Sequence, residues 1–310
     1  VSDGQGSTDS QAIAVTVTSA NDNAPVITSG STASVAENTT AVMTVTATDA
    51  DQPAQTLSYS IIGGVDAAKF AINSSTGALS FLAAPDFETP TDAGGDNVYD
   101  VTVQVSDGQG STDSQAIAVT VTSANDNAPV ITSGSTASVA ENTTAVMTVT
   151  ATDSDQPAQT LSFSIVGGAD AAKFTINAST GALSFLTTPD YETPTDAGGN
   201  NIYDVTVQVS DGQGSTDSEA IAVTVTSAND NAPVITSGAT ASVAENTTAV
   251  MTVTATDADL PAQTLTYSIV GGADAAKFAI NSSTGALSFV SAPDFETPTD
   301  AGGDNVYDVT

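Results

Sequence analysis

Along most of the chain apolar and polar residues alternate one for one, the spacing of a strand that buries a single face. Met147, Val149 and Ala151 alternate with Thr148, Thr150 and Thr152, so Ala145 to Asp153 reads as one strand. Leu161, Phe163 and Ile165 alternate with Ser162 and Ser164, and the pairs Phe174/Ile176 and Leu183/Phe185 flank a turn at Ala178 to Gly181. Tyr203 to Val209 and Ile221 to Val225 keep the same two-residue period, with Asp204, Thr206, Gln208, Ala222 and Thr224 between the apolar positions. Short runs at Val130-Ile131-Thr132 and Ala137-Ser138-Val139 bring the expectation to about seven strands, with Gly, Asn, Asp and Pro between them. Only Asp170 to Lys173 predicts a helical turn. The predicted fold is all-β: seven-stranded Greek-key, immunoglobulin-like sandwiches of two antiparallel sheets.

The pattern itself repeats. Val1, Val105 and Val209 each open the phrase VSDGQGSTDS, and SANDNAP returns from Ser19, Ser123 and Ser227. A period of 104 residues is too long for a helical solenoid unit and suits one sandwich. The predicted modules form a linear tandem array: the end of one at 1–23, complete ones at 24–127 and 128–231, and one lacking its last strand at 232–310. A sequence that opens and closes inside a repeat is expected to be an excerpt from a longer array. The alternative is a head-to-tail polymer, in which residues 1–22 of one chain supply the missing strand of the next.

Charge then narrows the function. The 310 residues carry 36 Asp and Glu against three Lys, with no Arg or His, for a net charge of −33. Phosphate contacts need Lys and Arg, so nucleic acid and anionic membrane surfaces are poor partners. No stretch of about 20 apolar residues offers direct membrane insertion. Disorder, the ordinary companion of such acidity, is opposed by 40% hydrophobic content placed in alternating strands. Without Cys, stability must come from the core or from metal ions. The acid surplus therefore serves either a solvated surface or sites for a hard cation.

The placement of the acids favours the second. In one complete set, Glu37 lies in VAEN near the first strand and Asp86 and Glu88 lie in PDFE before the sixth. Asn125, Asp126 and Asn127 end the module; Asp153 and Asp155 (DSD) and Asp211 (VSDG) follow strands of the next one. Sandwich topology brings such strand-end loops to one junction. Seven carboxylates there repel at about 4 kcal/mol per pair at 4 Å with an effective dielectric near 20, so they require cations. An all-oxygen set without His or Cys selects Ca²⁺ over Zn²⁺ or Cu²⁺, and Mg²⁺ holds its waters too firmly. Two partial sets accompany it. One is Asn21, Asp22, Asn23, Asp49, Asp51 and Asp107; the other is Glu141, Asp190, Glu192, Asn229, Asp230, Asn231, Asp257 and Asp259. Both are expected to bind more weakly.

Asp92, Asp96, Asp100 and Asp113 also recur, and are read as solvated. The pair Asp86 and Glu88 resembles a glycosidase dyad in type, but calcium would keep both ionised and useless as a general acid. No Ser–His or Cys–His nucleophile is available, so the chain is read as not an enzyme.

Taken together, VAEN, FAINSSTGALSFLAAPDFE, DAD or DSD, VSDGQG and NDN resemble tandem cadherin repeats of the bacterial, cadherin-like adhesin type, over essentially the whole chain. Ser19, Ser123 and Ser227 stand where the family's linker motif opens with Asp. The resemblance implies a cadherin sandwich and about three Ca²⁺ per complete junction. It implies that the first two ions use Glu37, Asp86, Glu88, Asp126 and Asp155. The third would use the Asn125 side chain, the Asn127 carbonyl, Asp153, Asp155 and Asp211. The function it implies is a calcium-rigidified extender in an extracellular adhesin or surface fibre, reaching on the order of 100 Å over three modules. The alternative is a self-associating or glycan-binding module, with homophilic, filament or neighbouring-module contacts.

Overall fold

The computed structural model describes residues 1–310, and every regular element is a strand except three short 3-10 turns. The chain forms two compact units: residues 1–128 with 153–160, and residues 129–152 with 161–310.

In the first unit the strands are β1 (Val26–Ile27), β2 (Thr32–Ala36), β3 (Ala41–Thr44), β4 (Ala47–Thr48), β5 (Ser58–Gly63), β6 (Phe70–Ile72), β7 (Ala78–Phe81), β8 (Val98–Ser106) and β9 (Thr112–Thr122). They build a four-stranded sheet in the order β2-β9-β8-β5, a three-stranded sheet β3-β7-β6 and the pair β1-β4. One core draws on both larger sheets. Val101, Val103, Val119 and Val121 meet Leu79, Phe70 and Phe81 across it. Phe70 stacks on Phe81 at 4.5 Å, and Tyr99 stands edge-on to Phe81 at 5.1 Å. The alternation explains the geometry, since only every second residue of β8 and β9 points inward.

The second unit repeats the same nine strands from Val130–Ile131 to Thr216–Thr226, with an equivalent core around Val205, Val207, Val223 and Val225. Residues 232–310 add the pair Val234–Ile235 with Ala255–Thr256, and a sheet of Ala249–Thr252, Ala286–Phe289 and Phe278–Ile280.

The all-β prediction holds, with three refinements. The stretch read as one strand from Ala145 to Asp153 divides into Ala145–Thr148 and Ala151–Thr152. Its first half pairs with Ala182–Phe185 and its second with Val130–Ile131, so one alternating run serves two sheets. The pairing is also not wholly antiparallel. β2 runs parallel to β9, with Val35 opposite Val121. The expected helical turn is present at Ala171–Lys173 as a 3-10 turn.

A correction concerns the acids read as merely solvated. Asp92 is buried, and its carboxylate accepts N–H bonds from Asp96 and Asn97 at 3.0 and 3.1 Å, closing the loop before β8. Asp113 Oδ2 accepts the N–H of Ile27 at 2.9 Å, tying β1 to β9. Burial alone would raise Asp92 and its counterpart Asp196, but the N–H bonds from the following backbone outweigh it and hold both carboxyls below their usual value. A depressed folded pKa adds stability above the unfolded value of about 3.9, and that stability is lost as pH falls through the folded value. The cost of Asp92→Asn, measured by urea unfolding with chelator present, is therefore expected to shrink as pH drops from about 5 to about 2. A cost independent of pH would contradict it.

Candidate metal centre

Three segments bring Glu37, Asp86, Glu88 and Asp126 together within the first unit. The chain turns after β2, where Asn38 takes a left-handed φ of 59° next to Glu37. Glu37 is 2% exposed. Its Oε2 accepts the Phe87 N–H at 2.7 Å and its Oε1 accepts the Ala124 N–H at 2.6 Å, so one carboxylate fastens the loop before β8 and the segment after β9. Oxygens of Glu37, Asp86 and Glu88 lie within 4.8 Å of one another, and so do those of Glu88, Asp126 and Asp155. Glu88 thus belongs to both groups.

Residues 153–160 pack with this unit and complete the arrangement. Glu88 Oε1 accepts the Gln156 N–H at 3.2 Å. Asn127 donates its backbone N–H and its side-chain N–H to Asp155 Oδ1, at 3.1 and 2.8 Å, and Asp155 donates its N–H to Asp153 Oδ1 at 3.1 Å. Burial, followed by the charge of Glu37 and more weakly that of Asp155, raises the Glu88 carboxyl above its usual value. Hydrogen bonds from Thr89 hold Asp86 below its own. Asp211 lies in the second unit, where Oδ1 accepts N–H bonds from Gln213, Gly214 and Ser215.

The partial sets assemble in the same manner. In the first, Asn23 donates twice to Asp51, Asn21 donates to Asp107 at 3.0 Å, and Asp51 donates its N–H to Asp49. Asp22 Oδ1 accepts from Asn23 Nδ2 at 3.1 Å. In the other, Glu141, Glu192 and Asp230 bring oxygens within 4.8 Å. There Asn231 donates to Asp259, Asp259 N–H meets Asp257, and Glu192 accepts the Leu260 N–H at 3.0 Å. Asp190 faces its own loop, accepting from Glu192 and Thr193, and Asn229 is exposed.

Several further residues join these sites. Glu245, Asp294 and Glu296 form a further group within 4.8 Å, and adding the period of 104 to Glu141, Asp190 and Glu192 would have found it. Asn38 and Asn142 donate their side-chain N–H to Asp126 and Asp230. Gln55 and Gln159 reach Asn21 and Asn125 through side chains that no motif marks.

The donor set suits a hard divalent cation. At 4.8 Å two carboxylates repel by about 3 kcal/mol at an effective dielectric near 20, and the chain has no Arg or His and only three Lys to set against its 36 acids. Glu88 Oε2, Asp153 Oδ2 and Asp49 Oδ2 are buried acceptors without a donor. Such atoms are uncommon in folded proteins unless water or an ion meets them. Carboxylate and amide oxygens around one point are the ligands of Ca²⁺, which tolerates six to eight of them in irregular geometry. Glu37, Asp86, Glu88, Asp126 and Asp155 would hold such ions.

Comparison with known proteins agrees with the fold. A family profile for the Cadherin domain matches residues 31–122, 135–226 and 239–309. Human Protocadherin Fat 1 is 33% identical over 273 residues, covering 83% of this chain and 6% of that protein. Mouse Cadherin EGF LAG seven-pass G-type receptor 3 is 32% identical over 294 residues, covering 87% of the chain and 8% of the relative. The chain therefore spans less than a tenth of the length of these relatives. Among solved structures, mouse Cadherin-23 EC22-24 superposes with a TM-score of 0.64 and 25% identity, covering 89% of this chain and 90% of that one. The Protocadherin GammaB4 extracellular domain gives 0.61 and 27%, with 90% and 46% covered. These relatives are animal proteins, and the bacterial subdivision suggested by the motifs finds no support among them.

Proposed function

The chain belongs to the cadherin family, and from that premise we propose that it is a calcium-rigidified, non-catalytic extender within an extracellular adhesion protein. Its modules are taken as 24–127 and 128–231, with parts of two more at 1–23 and 232–310. The observation that carries this reading is the doubly shared Glu88, whose oxygens sit within 4.8 Å of Glu37 and Asp86 on one side and of Asp126 and Asp155 on the other. Asp155 comes from the repeat that follows. Cations bound by both groups tie the end of one repeat to the DSD loop of the next, and their loss leaves the acids in mutual repulsion. About three ions serve each complete junction. Calcium sites of extracellular modules have Kd values of about 10⁻⁴ to 10⁻³ M, matched to millimolar calcium outside cells.

Removal of calcium is the direct test. In small-angle scattering the 310-residue chain in millimolar calcium is expected to show an extended, narrow length distribution, on the order of 100 Å or more. With excess chelator the distribution is expected to shorten and broaden. Equal profiles in the two conditions would sink the extender reading, and calorimetric titration counts the ions in the same samples.

A further inference from the structure

Each repeat places a glutamine four residues after the second Asp of its DAD or DSD motif: Gln55, Gln159 and Gln263. Gln159 Nε2 donates to Asn125 Oδ1 and, at 3.1 Å, to Asp155 Oδ2. Gln55 Nε2 donates to Asn21 Oδ1, and Gln263 Nε2 donates to Asp259 Oδ2 at 3.2 Å. At Gln55 and Gln159 the other end of the amide, Oε1, is buried and accepts no hydrogen bond. Leaving a buried acceptor unpaired destabilises the fold. That the same atom is left so at two equivalent places points to a ligand rather than to a packing accident.

The ends of a primary amide are nearly equal in size, and a half-turn about the last side-chain bond exchanges its donor for its acceptor without moving the backbone. Turned one way, the Gln159 N–H groups bridge Asn125 and Asp155. Turned the other way, Oε1 faces the same two oxygens, Asn125 Oδ1 and Asp155 Oδ2. Oxygens facing one another in this manner are held by a hard cation, and amide oxygens are among calcium's ordinary ligands.

We propose that Gln159, with Gln55 at the preceding linker, is a switchable neutral ligand that bridges Asn125 and Asp155 through its N–H groups and turns over to give its carbonyl oxygen to a bound calcium ion. The proposal rests on the calcium reading above and adds a ligand to it. A neutral oxygen completes the coordination without adding to the surplus of negative charge.

The test is calcium titration of the full chain and its Gln159→Met and Gln159→Glu variants, with Gln55→Met as a replicate at the other linker. Methionine keeps the length and removes the oxygen; glutamate keeps an oxygen. One binding step is expected to weaken about tenfold in Gln159→Met and to recover in Gln159→Glu, while the remaining steps stay within twofold. The side-chain amide ¹⁵N and ¹H resonances of Gln159 are expected to shift when calcium fills that step in the unmodified chain. If methionine leaves every step within twofold, or if both variants weaken binding alike, Gln159 is only a structural hydrogen-bond donor and the proposal is overturned. If the unmodified chain takes up no calcium, the calcium reading itself fails, an outcome told apart because no variant then binds either.

Discussion

Glu37→Ala is expected to cost about 4 kcal/mol of stability in calcium and to fall within about 1 kcal/mol of neutral in chelator. The carboxylate is 2% exposed and accepts two backbone N–H bonds, from Phe87 and Ala124. Bonds to a charged acceptor contribute about 2 kcal/mol each, and both donors would be left without a partner. Against this stands the repulsion from Asp86 and Glu88, whose oxygens lie within 4.8 Å. At an effective dielectric near 20 that is worth about 3 kcal/mol per neighbour as an upper bound. With calcium present the repulsion is neutralised, so the alanine loses the hydrogen bonds and the ligand and gains nothing. In chelator, relief of repulsion offsets most of the loss. Urea unfolding of the variant and the unmodified chain in both conditions measures the difference. Equal penalties with and without calcium would mean that Glu37 acts as a backbone clamp alone.

Gly77→Ala is the second large effect, expected to cost about 3 kcal/mol or more by the sum of strain and contact terms. Gly77 ends the turn before β7 with φ of 72°, a left-handed conformation that costs an L-residue about 1–2 kcal/mol. A Cβ there would also lie 2.1 Å from the carbonyl oxygen of Val45, a backbone atom that cannot swing aside. That carbonyl belongs to the segment where the chain passes from β3 to β4, and Val45 in turn donates its N–H to Gly77 O at 2.8 Å. Relief of the clash would open the turn against the core at Val45, which is 1% exposed. Gly108 is the control. It has φ of 75° with nothing within 4 Å of its Cβ position, so Gly108→Ala carries the conformational term alone, about 1 kcal/mol. Comparable losses from the two substitutions in urea unfolding would show that close approach is not what demands glycine at Gly77.

Much of the centre is legible in the amino-acid order, because its ligands sit in short motifs at strand ends and recur every 104 residues. Glu37, Asp86, Glu88, Asp126 and Asp155 stand out from those motifs alone, and they converge. Gln159 does not, since a glutamine in a loop carries no motif. Its meaning arises from contact with Asn125, 34 residues away, and from an oxygen that burial leaves without a partner. Asn38 closes the VAEN motif, yet its bond to Asp126 spans 88 residues and no local pattern announces it.

The limit is clearest where the same letters occur twice. Residues 8–18 and β9 both read TDSQAIAVTVT. In β9, Ile117, Val119 and Val121 are at most 1% exposed, whereas Ile13, Val15 and Val17 are 80%, 80% and 91% exposed. The two-residue alternation is a local property of an extended backbone, so the amino-acid order alone determined which residues share a face and where acids would gather at strand ends. Which face is buried depended on partners that arrive from far along the chain. β9 lies between β2, parallel and 86 residues from its paired positions, and β8. Burial, the parallel register and the convergence of amides on the carboxylates are long-range pairings, and only the tertiary structure decided them.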